Sequence, residues 1–203
     1  MLPPIFKRFI QLLDEFPEIG PRQAWRLFFW LLRQDRKFLN TFSETLRVIA
    51  EQTQPCARCN FPAIGAGKGD ELLCELCSDS KRDGSTLCIV ARETDLVTLE
   101  GTKKFKGTYF VLGGLLVPYE AEKELVRERL TKLKDRLSAD KAIKTVLIAL
   151  PFTREAEPTL QEVERILAPL TSLKIIRPRK GIPLGGEIEF LDPETLTEAL
   201  FRE

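Results

Sequence analysis

Four of the five cysteines in this chain stand in two pairs whose spacing suits a metal ion. Cys56 and Cys59 form one C-x2-C pair, and Cys74 and Cys77 form a second pair after fourteen intervening residues. Four thiolates complete the tetrahedral coordination that zinc prefers and leave no open position for a catalytic water. We therefore predict one structural Zn²⁺ per chain. An iron–sulfur cluster or a redox dithiol is the alternative that the same spacing allows.

Composition limits the remaining chemistry. The chain has no histidine, which excludes histidine-assisted nucleophiles and histidine metal ligands. Its 31 Lys and Arg residues against 30 Asp and Glu residues give a net charge of +1. That balance excludes a uniformly basic nucleic-acid-binding protein but permits a local basic face. The fifth cysteine, Cys88, lies in an apolar run and is predicted to be a small core residue.

The segment FPEIGPRQAWRL, residues 16–27, is a second candidate site. Gly20 and Pro21 make a turn before a helix, and the amides and positive dipole of a helix N-terminus suit a phosphate group. Arg22 and Arg26 are four residues apart and share one face of that helix. Lys7 and Arg8 on the preceding helix add positive charge. The other interpretation is a helical hairpin whose arginines are simply solvated.

Acidic residues follow two of the predicted strands. Glu93 and Asp95 come after the apolar run STLCIVA, and Glu155 comes after IKTVLIAL. Loops at the carboxyl ends of parallel strands are where α/β proteins place their sites. Such carboxylates cap helices, contact a partner or bind Mg²⁺, and the residues alone leave these readings open.

The elements that must position these residues change along the chain. The first 50 or so residues predict three helices from apolar residues at helical spacing. From about residue 86, strand-like runs alternate with amphipathic helices, which predicts an α/β sheet, mostly parallel and covered on both faces. No apolar run is long enough to span a bilayer, and no signal peptide is recognised. The expected location is therefore cytoplasmic, with the nucleoid as the place of action when DNA is bound.

Four segments in this order resemble the bacterial recombination mediator family RecR. They are the hairpin FPEIGPRQAWRL, the four-cysteine segment, GTYFVLGGLLVP and RKGIPLGGEIEFLD. The resemblance implies a multidomain protein, part all-helical and part α/β. Its expected regions are a helix-hairpin-helix region (1–54), a four-cysteine zinc finger (55–78) and a Toprim-like α/β domain ending in a subunit-contact segment (79–203).

The resemblance also implies a function. Members of this family are DNA-binding mediators without enzymatic activity, so the chain is expected to bind single- and double-stranded DNA. It is expected to form a ring-like homo-oligomer, a dimer or tetramer, and to work with RecO-like and RecF-like proteins in loading RecA. In one position the hairpin departs from the family pattern: Glu18 stands where the family has a glycine. That departure favours phosphate contacts through the arginines over contacts through the hairpin backbone.

Enzymatic relatives of the Toprim domain suggest the main alternative, a small Mg²⁺-dependent nuclease or primase-like enzyme. Those relatives hold magnesium with a glutamate and an Asp-x-Asp pair. Glu93 matches the glutamate, but the second motif is missing, and Thr153, Glu155 and Thr159 match the depleted RecR pattern instead. A zinc-stapled adaptor that does not bind DNA is a third possibility.

Overall fold

The computed structural model describes residues 2–65, 72–117, 120–178, 181–182, 185 and 187–200. Residues 66–71, which lie between the two cysteine pairs, are outside this range. So are Arg179, Lys180 and Gly186 of the segment RKGIPLGGEIEFLD. The chain divides into two compact units, residues 1–53 and 54–203.

The first unit contains the three predicted helices. They are α1 (Pro4–Asp14), α2 (Pro21–Leu31) and α3 (Arg36–Gln52). Proline begins both α1 and α2, where its missing N–H leaves no helical hydrogen bond unmade. The carboxylate of Asp35 caps α3 by accepting a hydrogen bond of 2.6 Å from the Phe38 amide.

The core of this first unit is small. Ile10 of α1 packs against Ala24 and Phe28 of α2, and these are its buried residues among those described. Many large apolar side chains remain exposed instead: Ile5, Phe9, Leu12 and Phe16 near α1, Phe29 and Trp30 on α2, and Phe38, Phe42, Leu46 and Ile49 along α3. The apolar stripes that predict α1 and α3 are therefore largely at the surface.

The second unit begins with the cysteine segment. Strand β1 (Thr53–Pro55), which starts at the boundary of the two units, pairs with β2 (Pro62–Ile64) in a two-stranded sheet. A single-turn helix, α4 (Glu75–Ser78), carries the last cysteine. We call residues 54–65 and 72–78 the metal module.

Alternating strands and helices follow, as the sequence predicts. The strands are β3 (Asp83–Val90), β4 (Gly107–Val111), β5 (Thr145–Ala149) and β6 (Lys174–Ile176); the helices are α5 (Glu93–Gly101), α6 (Glu120–Ala139), α7 (Glu157–Leu167) and α8 (Pro193–Leu200). Asp192 caps α8 by accepting a 2.9 Å hydrogen bond from the Thr195 amide. In the part of the chain that the structure describes, no helix is long and apolar enough to cross a membrane.

The strands form one sheet in the order β4-β3-β5-β6, and every pairing in it is parallel. Val90 is in register with Val111 on one side and with Ala149 on the other. Three strands therefore end at the same edge, which confirms the predicted parallel α/β domain.

The two faces of this sheet are covered differently. Leu87 and Ile89 of β3 pack into a large cluster with apolar residues of α6 and α7. Cys88 and Val90, which alternate with them, belong to a cluster on the opposite face that includes Leu96 of α5. Phe61 and Leu76 of the metal module pack against that second cluster. The metal module is thus part of the cover of the sheet, a role that the sequence pattern does not predict.

Candidate metal centre and nucleic-acid interface

The four paired cysteines converge on one point. The sulfur atoms of Cys56, Cys59, Cys74 and Cys77 all lie within 4.8 Å of one another. The Cys59 and Cys74 sulfurs are 3.5 Å apart. Four ligands about 2.3 Å from a tetrahedral zinc have sulfur atoms separated by a little under 4 Å. The cluster therefore has the ligands and spacing to hold a metal ion.

Backbone turns place the cysteines of the first pair. The Asn60 amide donates to the Cys56 carbonyl over 2.9 Å, and the Cys56 amide donates to the Phe61 carbonyl over 2.8 Å. Asn60 has φ of +62°, a left-handed conformation that asparagine tolerates better than most residues. The Phe61 amide donates to the Cys59 sulfur over 3.4 Å. Such a bond favours the thiolate form that a metal requires.

Crowding of the four thiols disturbs their titration. The hydrogen bond with Cys59 lowers the pKa of Cys56, and the same contact raises the pKa of Cys59. One sulfur is thus stabilised as a thiolate at the expense of its neighbour. A bound divalent cation would remove this conflict, because it stabilises all four thiolates at once.

The metal module is tied to the sheet by polar contacts as well as by packing. The Val111 amide donates to the Cys59 carbonyl over 2.9 Å, and the side-chain amide of Asn60 donates to the Val111 carbonyl over 3.2 Å. The end of β4 is therefore bound directly to the turn that carries the first cysteine pair.

Arg136 of α6 makes the third link. Its guanidinium donates to the Arg58 carbonyl over 2.7 Å and to the Tyr109 carbonyl over 3.0 Å. Burial lowers the pKa of Arg136, while the nearby sulfurs of Cys77 and Cys59 act in the opposite direction. One half-buried cation thus joins α6, β4 and the metal module near the cysteine cluster.

Cys88 does not belong to the cysteine cluster. It is fully buried in the sheet, and burial raises the pKa of its thiol to about 12. It is the core residue that the sequence predicts, and its protonated form is a poor nucleophile.

The predicted DNA-contact residues all lie at the surface of the first unit. Arg22 and Arg26 are exposed on the first two turns of α2, and Lys7 and Arg8 are exposed on α1. Gly20 is the N-cap of α2 and offers no side chain to its amides. Main-chain N–H groups and two guanidiniums are therefore available together at this helix end.

Glu18 occupies a left-handed conformation in the hairpin turn, with φ of +62°. The chain keeps the backbone shape that suits a glycine while carrying a glutamate there, and a non-glycine residue in this region costs about 1 kcal/mol. The departure from the family pattern is thus absorbed as local strain.

The acidic residues at the edge of the sheet each have a separate partner. Glu93 accepts a hydrogen bond of 3.4 Å from Arg129, a buried arginine that also donates to the Val111 carbonyl over 3.3 Å. Asp95 accepts a bond of 2.8 Å from the Arg92 amide and so caps the start of α5. Among the described residues, the four cysteines form the one group of three or more His, Cys, Asp or Glu side chains close enough to share a metal ion. The acidic residues at the edge of the sheet do not form such a group.

A glycine pair makes room for these contacts. Gly113 has φ of +85°, and a Cβ atom there would lie 2.6 Å from a nitrogen of Arg129. Gly114 has φ of +151°, and a Cβ atom there would collide with the Glu122 carboxylate. That carboxylate pairs with Arg92 over 3.1 Å. The two glycines of the VLGG segment therefore admit an arginine and a glutamate to the end of β4.

Glu155, which follows β5, is exposed. A bond from its own backbone amide and a bond with the Thr153 hydroxyl lower its pKa. Thr159 is buried, and its hydroxyl accepts a 2.9 Å hydrogen bond from the Leu116 amide. Thr153 and Thr159 thus support the loops at this edge, while the Glu155 carboxylate remains open to solvent.

No sequence motif points to Arg129 or Arg136, although both are central to these contacts. The signal that could identify them is their spacing, because both fall on the apolar face of α6 together with Val126, Leu133 and Leu137. An arginine at such a position must find partners inside the protein. Of the basic residues that precede the segment RKGIPLGGEIEFLD, Lys174 is exposed and Arg177 pairs with Glu164 of α7.

Comparison with known proteins agrees with these features. The family model for the Toprim domain matches residues 85–177, and the model described as RecR, C-terminal, matches residues 181–200. Recombination protein RecR of Synechococcus elongatus is 34% identical over 194 residues, which cover 95% of this chain and 92% of that protein.

Two further relatives carry the same name. RecR of Myxococcus xanthus is 34% identical over 203 residues, covering 98% of this chain and 97% of the relative. RecR of a Roseiflexus species is 35% identical over 202 residues, covering 98% and 93%. The similarity extends through the helical unit, the cysteine cluster and the α/β domain, and the chain belongs to the RecR family of recombination proteins.

Proposed function

We propose that this chain is a DNA-binding recombination mediator without enzymatic activity. It binds single- and double-stranded DNA as a ring-like homo-oligomer and works with RecO-like and RecF-like partners to help load RecA on single strands. Its relatives are named as recombination proteins, which supports a role in DNA recombination and repair.

The observation that carries the DNA-binding proposal is the open N-terminus of α2. Arg22 and Arg26 are exposed there, and the Gly20 cap leaves the first amides without a side-chain acceptor. A phosphate group can accept from the amides while the arginines supply charge-assisted hydrogen bonds. Lys7 and Arg8 extend the positive surface of the same unit.

We propose Zn²⁺ as the ion of the cysteine cluster. The closed set of four sulfur ligands supports a structural role, since a catalytic zinc needs an open coordination position. The contacts of the metal module with β4 and α6 support a staple within the second unit. Elemental analysis of protein purified without chelator should give one zinc per chain; iron, or no metal, would contradict this assignment.

The contacts at the acidic edge support the absence of catalysis. Arg129 already places a cation on Glu93, and Asp95 is engaged by a backbone amide. Both arrangements compete with Mg²⁺, which a carboxylate pair alone binds weakly. We propose instead that the exposed Glu155 belongs to a partner-contact surface together with Glu93 and Asp95, because these residues follow the neighbouring strands β5 and β3.

The experiment that tests DNA binding is a fluorescence-anisotropy titration with oligo(dT) and with a duplex. We expect Arg22→Glu combined with Arg26→Glu to weaken binding about tenfold or more on every sequence, because phosphate contacts position without specifying. Arg33→Glu combined with Lys37→Glu, a pair exposed elsewhere in the same unit, makes the same charge change and should cost much less.

Equal binding by the parent and the Arg22/Arg26 variant would exclude this helix end as the contact. Equal losses in both variants would indicate a response to net charge alone. Cleavage of labelled DNA in the presence of Mg²⁺ or Mn²⁺ that disappears in Glu93→Ala would replace the mediator with the Toprim enzyme.

A further inference from the structure

A groove of about 600 Å³ lies between α6 and α7, on the α/β domain and outside the predicted DNA-contact helix. Arg127, Lys134 and Arg165 line it together with Lys123. Three of these residues follow one flank of α6, at positions 123, 127 and 134, and Arg165 faces them from α7. The groove is therefore bordered by cations on both sides.

The cationic side chains on this flank differ from the other cations of α6 in their partners. Lys132 pairs with Glu128, Arg129 with Glu93, and Arg136 with backbone carbonyls. Arg127 and Lys134 are exposed, and no described carboxylate lies within ion-pair distance of either. Two cations thus stand on one groove wall without internal partners.

Glu162, the one acidic side chain among the described lining residues, is already paired. Glu162 accepts two hydrogen bonds from Arg165, of 2.9 Å and 2.5 Å. This pair is largely exposed on the arginine side, so it contributes little stability and can exchange for a contact with a ligand. Among the described lining residues, four cationic side chains stand against this one carboxylate.

The floor of the groove is aliphatic. Its described lining includes Leu116, Val117, Leu130, Pro158 and Ile166, and no aromatic ring is among the lining residues that the structure describes. Nucleobases are usually held by stacking on aromatic side chains, and a phosphate backbone gains nothing from an apolar floor. An apolar side chain of a peptide, by contrast, gains free energy from burial on such a surface.

We propose that this groove binds an acidic peptide segment of a partner protein, with one or two apolar residues on the floor and carboxylates against Arg127, Lys134 and Arg165. The volume suits a few residues, and the charge on the rim is complementary to such a segment. The described lining of the groove shares no residue with the helix end at Arg22 and Arg26, so the proposal assigns a second binding activity to the protein.

The experiment is a selection from a random peptide library on the full-length protein, followed by anisotropy titration of a labelled consensus peptide. We expect the selected peptides to be net acidic and to contain Leu, Ile, Met, Phe or Trp. Arg127→Glu combined with Lys134→Glu should weaken binding of the consensus peptide about tenfold or more. Replacing the apolar residue of the peptide by Ser should weaken it as well.

Matched variants keep the result interpretable. Lys104→Glu combined with Lys141→Glu makes the same charge change at exposed positions outside the groove and should leave peptide binding unchanged. Arg22→Glu combined with Arg26→Glu should also leave it unchanged, so that failure of the DNA proposal and failure of this one are distinguishable. Circular dichroism and melting must match the parent for each variant.

The proposal is overturned if no peptide is selected, if the selected peptides carry no net negative charge, or if the Arg127/Lys134 variant binds them as tightly as the parent. It is also overturned if that variant loses affinity for oligo(dT) while peptide binding stays unchanged. That last result would make the groove a nucleic-acid surface.

Discussion

The two units of this protein treat their apolar residues in opposite ways. The α/β unit buries Leu87, Ile89, Val126, Leu133 and Val163 almost completely in one cluster. In the helical unit, the apolar stripe of α3 contains Phe38, Phe42, Leu46 and Ile49, and each is 40% exposed or more. Contiguous apolar surface of this kind commonly marks a site of association. The difference indicates that the α/β unit carries its own core, whereas the helical unit leaves its longest apolar stripe exposed.

In the ring-like oligomer that we propose, the helical unit of a second copy would cover this stripe. Covering the four residues of this stripe would bury the aromatic rings of Phe38 and Phe42, and Trp30 is in edge contact with Phe38. Buried aromatic side chains dominate the energetics of many interfaces. On this view, stability resides mainly in the second unit and association in the first.

Loss of the metal should have the largest effect. Metal binding in small zinc modules is worth on the order of 10 kcal/mol, and the zinc proposed here would also stabilise the metal module, which covers part of one face of the sheet. We expect Cys74→Ser, or chelation, to lower the melting temperature strongly and to expose apolar surface to a fluorescent dye. Cys88→Ala, which removes a buried cysteine outside the cluster, should keep its zinc and melt close to the parent. An unchanged melting temperature for Cys74→Ser would show that the cysteine cluster does not stabilise the protein.

Truncation of one leucine in each unit should show which unit carries the stability of the monomer. Leu133→Ala leaves a cavity in a closed core and should lower the free energy of unfolding by about 2–5 kcal/mol. Leu46→Ala, at a side chain 51% exposed, should change it by less than about 0.5 kcal/mol in the monomer. Urea denaturation measures both values.

The same helix offers a direct test of assembly. Phe42→Asp combined with Leu46→Asp should reduce the mass measured by light scattering without lowering the stability of the α/β unit. An unchanged mass would place the subunit contact elsewhere.

Removal of the Arg136 side chain should have an intermediate effect. Arg136→Met leaves the Arg58 and Tyr109 carbonyls without their donor and should cost about 2–3 kcal/mol. It should also speed release of zinc to a chelator, because the metal module loses its link to α6. Arg136→Lys keeps the charge but not the forked geometry and should recover only part of the loss. Zinc release at the parental rate in Arg136→Met would mean that the link does not support the metal centre.

Relief of strain at Glu18 should give a small gain. Glu18→Gly removes a side chain from a position with φ of +62° and should stabilise the helical unit by about 1 kcal/mol. Glu15→Gly makes the same charge change at a φ of −76°, where glycine has no steric advantage, and should destabilise it. If both variants shift melting in the same direction, charge rather than backbone strain explains the effect.

The smallest effect concerns pH at Glu155. Its pKa in the folded protein lies below the model-peptide value of 4.5, so its contribution is fully present above that pH and is lost as pH falls through the folded pKa. The difference in melting between the parent and Glu155→Gln should therefore shrink on acidification below about pH 4.5. A difference that stays constant with pH would exclude an ionised carboxylate as its source.

Short-range patterns in the sequence predicted much of the secondary structure and the cysteine cluster. The doubled C-x2-C spacing predicted the cluster that the structure brings together, and strand–helix alternation predicted the parallel sheet. Strands β1 and β2 are three residues each and too short to show a period. Helix capping is one of the roles that the sequence left open for Asp95, and the structure shows the corresponding hydrogen bond from the Arg92 amide.

Long-range placement was not predictable in the same way. The metal module covers a face of the sheet through contacts that join Cys59 to Val111 and Arg58 to Arg136, and no local pattern encodes such pairings. The exposure of the α3 stripe was hidden for a similar reason, because helical spacing reports that a face is apolar but not whether the same chain covers it.

The bond between Arg136 and Arg58, which joins residues 78 positions apart, has a consequence for the order of folding. The cysteine loop closes over a short stretch of chain, so a nascent polypeptide can take up its metal early. The loaded module can dock only after β4 and α6 have been synthesised, because Val111 and Arg136 receive it. Contacts between distant residues form slowly, since a large loop must close first. We therefore expect metal uptake and docking to be separate kinetic phases in refolding, with zinc concentration affecting the rate of the first and Arg136→Met that of the second.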